Sequence, residues 1–101
     1  MKNQKITKVS IRAAGKDSIT VPVMHEILTH QLRGPTIVMW LLVAVPEAGI
    51  VEETITRNFV IAETGDILEM DESEHIHYIA SFINKDTEIH LFEFFDNLQK
   101  Q

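Results

Sequence analysis

The chain reads as mainly β, an antiparallel β-sandwich or small barrel of six to seven strands. Three observations predict this. An uncharged run of ten residues, from Thr36 to Val45, lies between Gly34-Pro35 and Pro46. From Val51 to Ala62, Val51, Ile55, Phe59 and Ile61 share one face, and Glu52, Thr54, Thr56 and Asn58 lie opposite, the period of a strand. Elsewhere, short segments rich in β-branched and aromatic residues alternate with turn-forming clusters.

Taken in order, Ile6 to Arg12 is a first strand with Thr7, Val9 and Ile11 on one face, and Ala13 to Asp17 is a turn. Ser18 to Val21 is a short second strand stopped by Pro22, which cannot donate to a ladder. Glu26 to Arg33 spaces Leu28 and Leu32 for either a helical turn or a strand face; β-branched Ile27 and Thr29 favour strand. The uncharged run is far short of the roughly 20 apolar residues that a membrane helix needs, but fits a strand. Both its faces are apolar: Ile37, Met39, Leu41 and Val43 on one, Val38, Trp40, Leu42 and Ala44 on the other. A chain this small fills one core, so the second face needs cover from another sheet edge or another copy. Glu47-Ala48-Gly49 and Thr64-Gly65-Asp66 are turns around the long strand, and Asp66 to Glu74 is an acidic connection. Ile76 to Ile83 and Glu88 to Phe95 form a closing hairpin across residues 84–87. Residues 1–101 make a single domain of ordinary size, with 96–101 as a polar tail.

Composition excludes several functions. The net charge of −6 opposes binding of DNA or RNA, which rests on phosphate neutralisation by Lys and Arg. A few well-placed donors can still hold a small anion. The chain has no cysteine, hence no thiolate nucleophile or Cys-based zinc site. The stretch Met1 to Lys5 leads into no signal-peptide apolar core. A cytoplasmic protein without membrane or cofactor is expected.

Several residues could carry chemistry. Arg57 shares the apolar face of Ile55 and Phe59, so it must find an anion: Glu53, Glu93 or a ligand phosphate. Trp40 is either a core or subunit-interface anchor or a stacking surface for a nucleobase. Thr64-Gly65-Asp66 is either a plain turn or a presenter of backbone N–H groups to an anion. His75 and His77, with His90 from the partner strand, form a candidate metal set in an acidic, solvated segment. Ser10, Ser18, Ser73 and Ser81 lack a nucleophile-elbow motif, and no enzymatic activity is expected.

The ordered set Val21-Pro22, Ile27-Leu28, Trp40 with Leu42-Val43, Arg57-x-Phe59, Thr64-Gly65, Tyr78-Ile79 and His90-Leu91-Phe92-Glu93 resembles a small uncharacterised domain family of tailed-phage genomes. Members usually read Thr-Gly-His at the turn; this chain has Asp66 there. The family has no established catalytic residues to transfer. The resemblance implies a phage accessory protein acting in the host cytoplasm. By analogy with phage counter-defence proteins, that points to sequestration of a small anionic ligand, a cyclic nucleotide immune signal, without catalysis. Arg57 would hold phosphate, Trp40 or Tyr78 would stack, and Lys16, Arg33, Thr64 and Gly65 would add donors. A homo-oligomer with sites between copies is expected. The alternative is a protein–protein interaction module that inhibits a host protein or acts in phage assembly.

Overall fold

A computed structural model of the chain describes residues 3–96. Seven strands run through them: β1 (Gln4–Arg12), β2 (Gly15–Pro22), β3 (His25–Arg33), β4 (Thr36–Ala44), β5 (Thr54–Glu63), β6 (Glu74–Asn84) and β7 (Thr87–Asp96). They form two antiparallel sheets, of order β1-β4-β3 and β2-β5-β7-β6. The two sheets do not close on one another, which removes the barrel alternative and leaves a sandwich. Among the described residues there is no helix.

Local chemistry explains the corners. The turn from β1 to β2 changes sheets, and Asp17 staples it: its carboxylate accepts the backbone N–H groups of Arg12 and Ser18, both at 2.8 Å. Those two bonds hold the Asp17 carboxyl below its ordinary value. Gly34 stands at φ 58°, where a side chain is disfavoured. It gives the tight turn that sets Arg33 opposite Thr36 and returns β4 beside β3.

The uncharged run becomes β4, the middle strand of its sheet. Ile37, Met39, Leu41 and Val43 point inward and are buried with Ile11 of β1. From the other sheet Phe59, Ile61, Leu91, Val21 and Ile19 close the core. The fold measures 48 × 36 × 16 Å over Cα atoms, with a radius of gyration of 15.4 Å. A compact chain of this length has about 13 Å, so the sandwich is broad and thin, with two large outer faces.

Several boundaries differ from the sequence reading. β5 starts at Thr54 rather than Val51, which is 89% exposed. Its partner β2 ends at Pro22 opposite Thr54, and only the Val23 N–H to Glu53 carbonyl bond extends the pairing. β2 itself begins at Gly15, because Lys16 and Asp17 have partners in Val60 and Phe59. β7 reaches Asp96, and the remainder of the expected polar tail lies outside the described residues.

Phe59 is fully buried. Phe59→Ala is expected to lower the urea-unfolding free energy by about 3–5 kcal/mol. Thr54→Ala, at an exposed position, should change it by less than about 0.5 kcal/mol.

Candidate functional site

The sandwich distributes the candidate residues over three surfaces. Arg57 lies between the sheets. Its Nε donates to Glu93 Oε2 at 2.8 Å and its second terminal nitrogen pairs with Glu93 Oε1, a two-pronged contact between β5 and β7. The third donor crosses the sandwich to His25 Nε2 at 3.0 Å. Arginine only donates, so this imidazole nitrogen accepts. His25 Nδ1–H then donates to the Pro22 carbonyl at 2.8 Å, which fixes the neutral tautomer. Of the two sequence candidates for an ion pair with Arg57, Glu93 takes the role. The side chains are 21% and 10% exposed. The charge is thus compensated inside the protein, and Arg57 shares no surface with the other candidates.

His30 faces the same interior. Its Nε2 is buried without a hydrogen-bond partner among the described residues. Burial, with the Arg57 charge adding to it, holds its imidazole below the ordinary value.

The outer face of β2-β5-β7-β6 gathers four candidates on or beside it. Tyr78 contacts Phe92 edge to face, with ring centroids 5.9 Å apart. Lys16 Nζ lies 4.5 Å from the centroid of Phe94. Phe94, Phe92 and His90 alternate along β7, so all three point outward. Beneath them Val60 and Ala62 are buried. At the other end of the row, Tyr78 OH meets Ser81 Oγ at 2.8 Å, Ser81 Oγ meets His90 Nδ1 at 2.8 Å, and His90 Nε2 meets Thr64 Oγ1 at 2.7 Å. Thr64 donates to Glu88 Oε1 at 3.0 Å.

With His90 neutral, one set of protons satisfies this chain. Thr64 spends its single hydrogen on Glu88, so it accepts from His90 Nε2–H. His90 Nδ1 then accepts from Ser81, and Ser81 accepts from Tyr78. Gly65, at φ 99°, forms the turn that carries Thr64 there, closed by Asp66 N–H to the Glu63 carbonyl at 3.0 Å. Tyr78, Ser81, Thr64 and Glu88 are exposed. The Ser81–His90 contact lies on the outer face of the sheet, with Ser81 exposed and His90 half-buried. The arrangement suits recognition by aromatic faces and hydroxyls.

Trp40 and Arg33 lie on the opposite side of the molecule, on the outer face of β1-β4-β3. The Arg33 guanidinium sits 5.2 Å from the centroid of the Trp40 ring. With Ile6, Leu28, Thr29 and Gln31 they line a shallow depression of about 560 Å³. The seven candidates therefore do not converge on one place.

Sequence reasoning weighed Ser81 only as a nucleophile, gave Phe92 and Phe94 no role in a site, and put His90 in a metal set. The hairpin contained the signal. Asn84 pairs with Thr87, so Ser81 falls opposite His90, and Phe92 and Phe94 follow His90 on one face. The same register separates the three histidines. His77 is aligned with Glu93 and His75 stacks on Phe95 at 5.2 Å, in register with side chains that face the other sheet, whereas His90 points outward. Among the described residues no three His, Asp or Glu groups are placed to hold a metal ion. No helix among them is long and apolar enough to cross a membrane.

Two measurements test the interior cluster. Glu93→Leu, which strands the Arg57 charge, should destabilise the fold by about 3 kcal/mol in urea, and the double Arg57→Leu, Glu93→Leu variant by less. The lowered His30 value means that the fold favours neutral imidazole. Its stabilising share is complete above pH 6.5, the ordinary value, and is lost as pH falls through the lowered one. His30→Leu should flatten the decline in stability below pH 6.5, followed by denaturant titration at several pH values.

Comparison with known proteins supplies a family and no function. No curated protein and no solved structure matches the chain. Residues 2–99 match the family model described as Domain of unknown function (DUF7352). That span covers nearly all of the sequence, and the chain belongs to this uncharacterised domain family.

Proposed function

We propose that the protein is a non-catalytic binding protein that sequesters a small anionic ligand with a planar ring, of the cyclic nucleotide class. The observation that carries this reading is the row of outward groups on β7 and its neighbours. Aromatic Phe94, Phe92 and Tyr78 lie between an ammonium at one end, Lys16, and a hydroxyl–imidazole chain at the other, Ser81, His90 and Thr64. Aromatic faces accept any base by stacking. Ser81, His90 and Thr64 would read the base edge. The phosphate belongs at Lys16, because Glu88 makes the far end acidic. The row is assembled within one copy, rather than between copies as the sequence suggested.

The resemblance to tailed-phage domains supports a place for this binding. The protein would act in the host cytoplasm against the nucleotide signals of bacterial immunity, as an accessory protein that holds the signal and leaves it intact. The setting of Ser81 and His90 on an outer sheet face supports binding over turnover.

Isothermal titration of the purified protein against a panel of cyclic di- and trinucleotides tests the reading. At least one member should bind at tens of micromolar or tighter. Tyr78→Ala should weaken that binding by about 5- to 150-fold, the equivalent of the stacking of one base. Lys16→Ala should weaken it as well, while Arg57 and Trp40 variants that fold should not. Absence of heat across the panel would overturn the proposal.

A further inference from the structure

The remaining large face belongs to β1-β4-β3. Down its middle run half-buried Leu42 and Trp40 and buried Val38 of β4, the second apolar side of the uncharged run. On the flanking strands Ile6 is 64% exposed and Leu28 is 43% exposed. Leu28 stands at a bulge, where the register slips between Ile27 and Thr29, which adds an apolar side chain to this face. Lone exposed apolar residues are ordinary; a contiguous row across three strands marks an interaction site.

The charges on this face are ordered. Glu26 is level with Leu42, and Arg33 is level with Thr36, about 20 Å further along at the usual strand rise. Neither makes an ion pair within the described residues. His30 and Met39, which pair with each other, mark the level midway between them, and Trp40 lies one residue from it.

We infer that this face is the seat of a second copy of the chain, packed face to face across a two-fold axis that crosses the strands level with Met39. Such an axis reverses the strand direction, so Glu26 of each copy meets Arg33 of the other, and both unpaired charges are matched twice. Trp40 of one copy packs on Val38 of the other, Leu42 meets Thr36, and Ile6 meets the stem of Arg12, whose guanidinium is held by the Lys16 carbonyl and Asp17 of its own chain. The face is self-complementary, as a two-fold contact demands. Lys8 pairs with Trp40 across β1 and β4 and so lies near the axis, but on an edge strand. Its long stem carries the ammonium out to water at the rim. The outer face of β2-β5-β7-β6 stays open in both copies, so the inference stands apart from the ligand-binding reading.

Sedimentation equilibrium of the wild-type chain at micromolar concentration should give twice the chain mass. Arg33→Glu sets Glu against Glu26 at two places per dimer, and Glu26→Arg sets Arg against Arg33. Each should weaken self-association by about tenfold or more. The double Glu26→Arg, Arg33→Glu variant restores opposite charges and should recover the dimer. Both positions are exposed, and circular dichroism verifies the folding of the three variants. A single-chain mass at high micromolar concentration would overturn the inference. So would a double variant no better than the singles, or an Arg33→Glu variant that associates like wild type, either of which assigns the contact to other surfaces.

Discussion

A β-strand has two sides, and a two-layer sandwich can shelter only one side of each strand. That constraint governs this protein. The inward side of β4 supplies Ile37, Met39, Leu41 and Val43 to the core, while the outward side is nearly as apolar and has no third layer above it. β7 repeats the pattern in the other sheet. Leu91 and Ile89 go inward, and Phe92 and Phe94 go outward, where they sit over buried Val60 and Ala62. The middle of each sheet thus carries an apolar outer stripe, and the two stripes differ in their polar company. Beside Trp40 stand unpaired charges of both signs. Beside Phe92 stand hydroxyls, an imidazole and one lysine.

The polar cluster inside the sandwich works by a different principle. An aliphatic pair in place of Arg57 and Glu93 would satisfy hydrophobic packing as well or better, since a buried ion pair recovers only part of its lost hydration. What the pair adds is geometry. Glu93 grips the guanidinium from two sides, and His25 reaches it from the opposite sheet with its other nitrogen tied to the Pro22 carbonyl. Apolar side chains can slide over one another with little change in energy. A directed bond between layers cannot, so the cluster fixes how the two sheets sit against each other.

Much of the fold was legible because the period-two signal is strong wherever one side is buried. The faces of β4 were read correctly residue by residue, as was the Arg57, Phe59 face of β5. Boundaries were less legible because pairing partners decide them. Val51 continues the alternation by type but has no strand beside it, and Lys16 looks like turn but has Val60. The site was legible only in pieces. Tyr78, Thr64 and Lys16 could be named, yet a list of donors does not say which side of which sheet each will occupy. Trp40 and Arg57 fell on other surfaces for that reason. The pairing of Ser81 with His90 followed from hairpin register alone, but its value appeared only when the turn after β5 brought Thr64 alongside.

The order in which the chain visits its layers has a consequence for synthesis. β1 enters one sheet, β2 the other, β3 and β4 the first, and β5, β6 and β7 the second. β1 pairs with β4 and β2 with β5, so the first strands leave the ribosome with no neighbour to receive them. The local hairpins β3–β4 and β6–β7 close quickly, whereas the long-range pairings wait on loop closure. Half a molecule is therefore no stable folding unit. β1 is captured only after β4 emerges and β2 only after β5, so each of the first two strands waits on a partner three strands further along the chain.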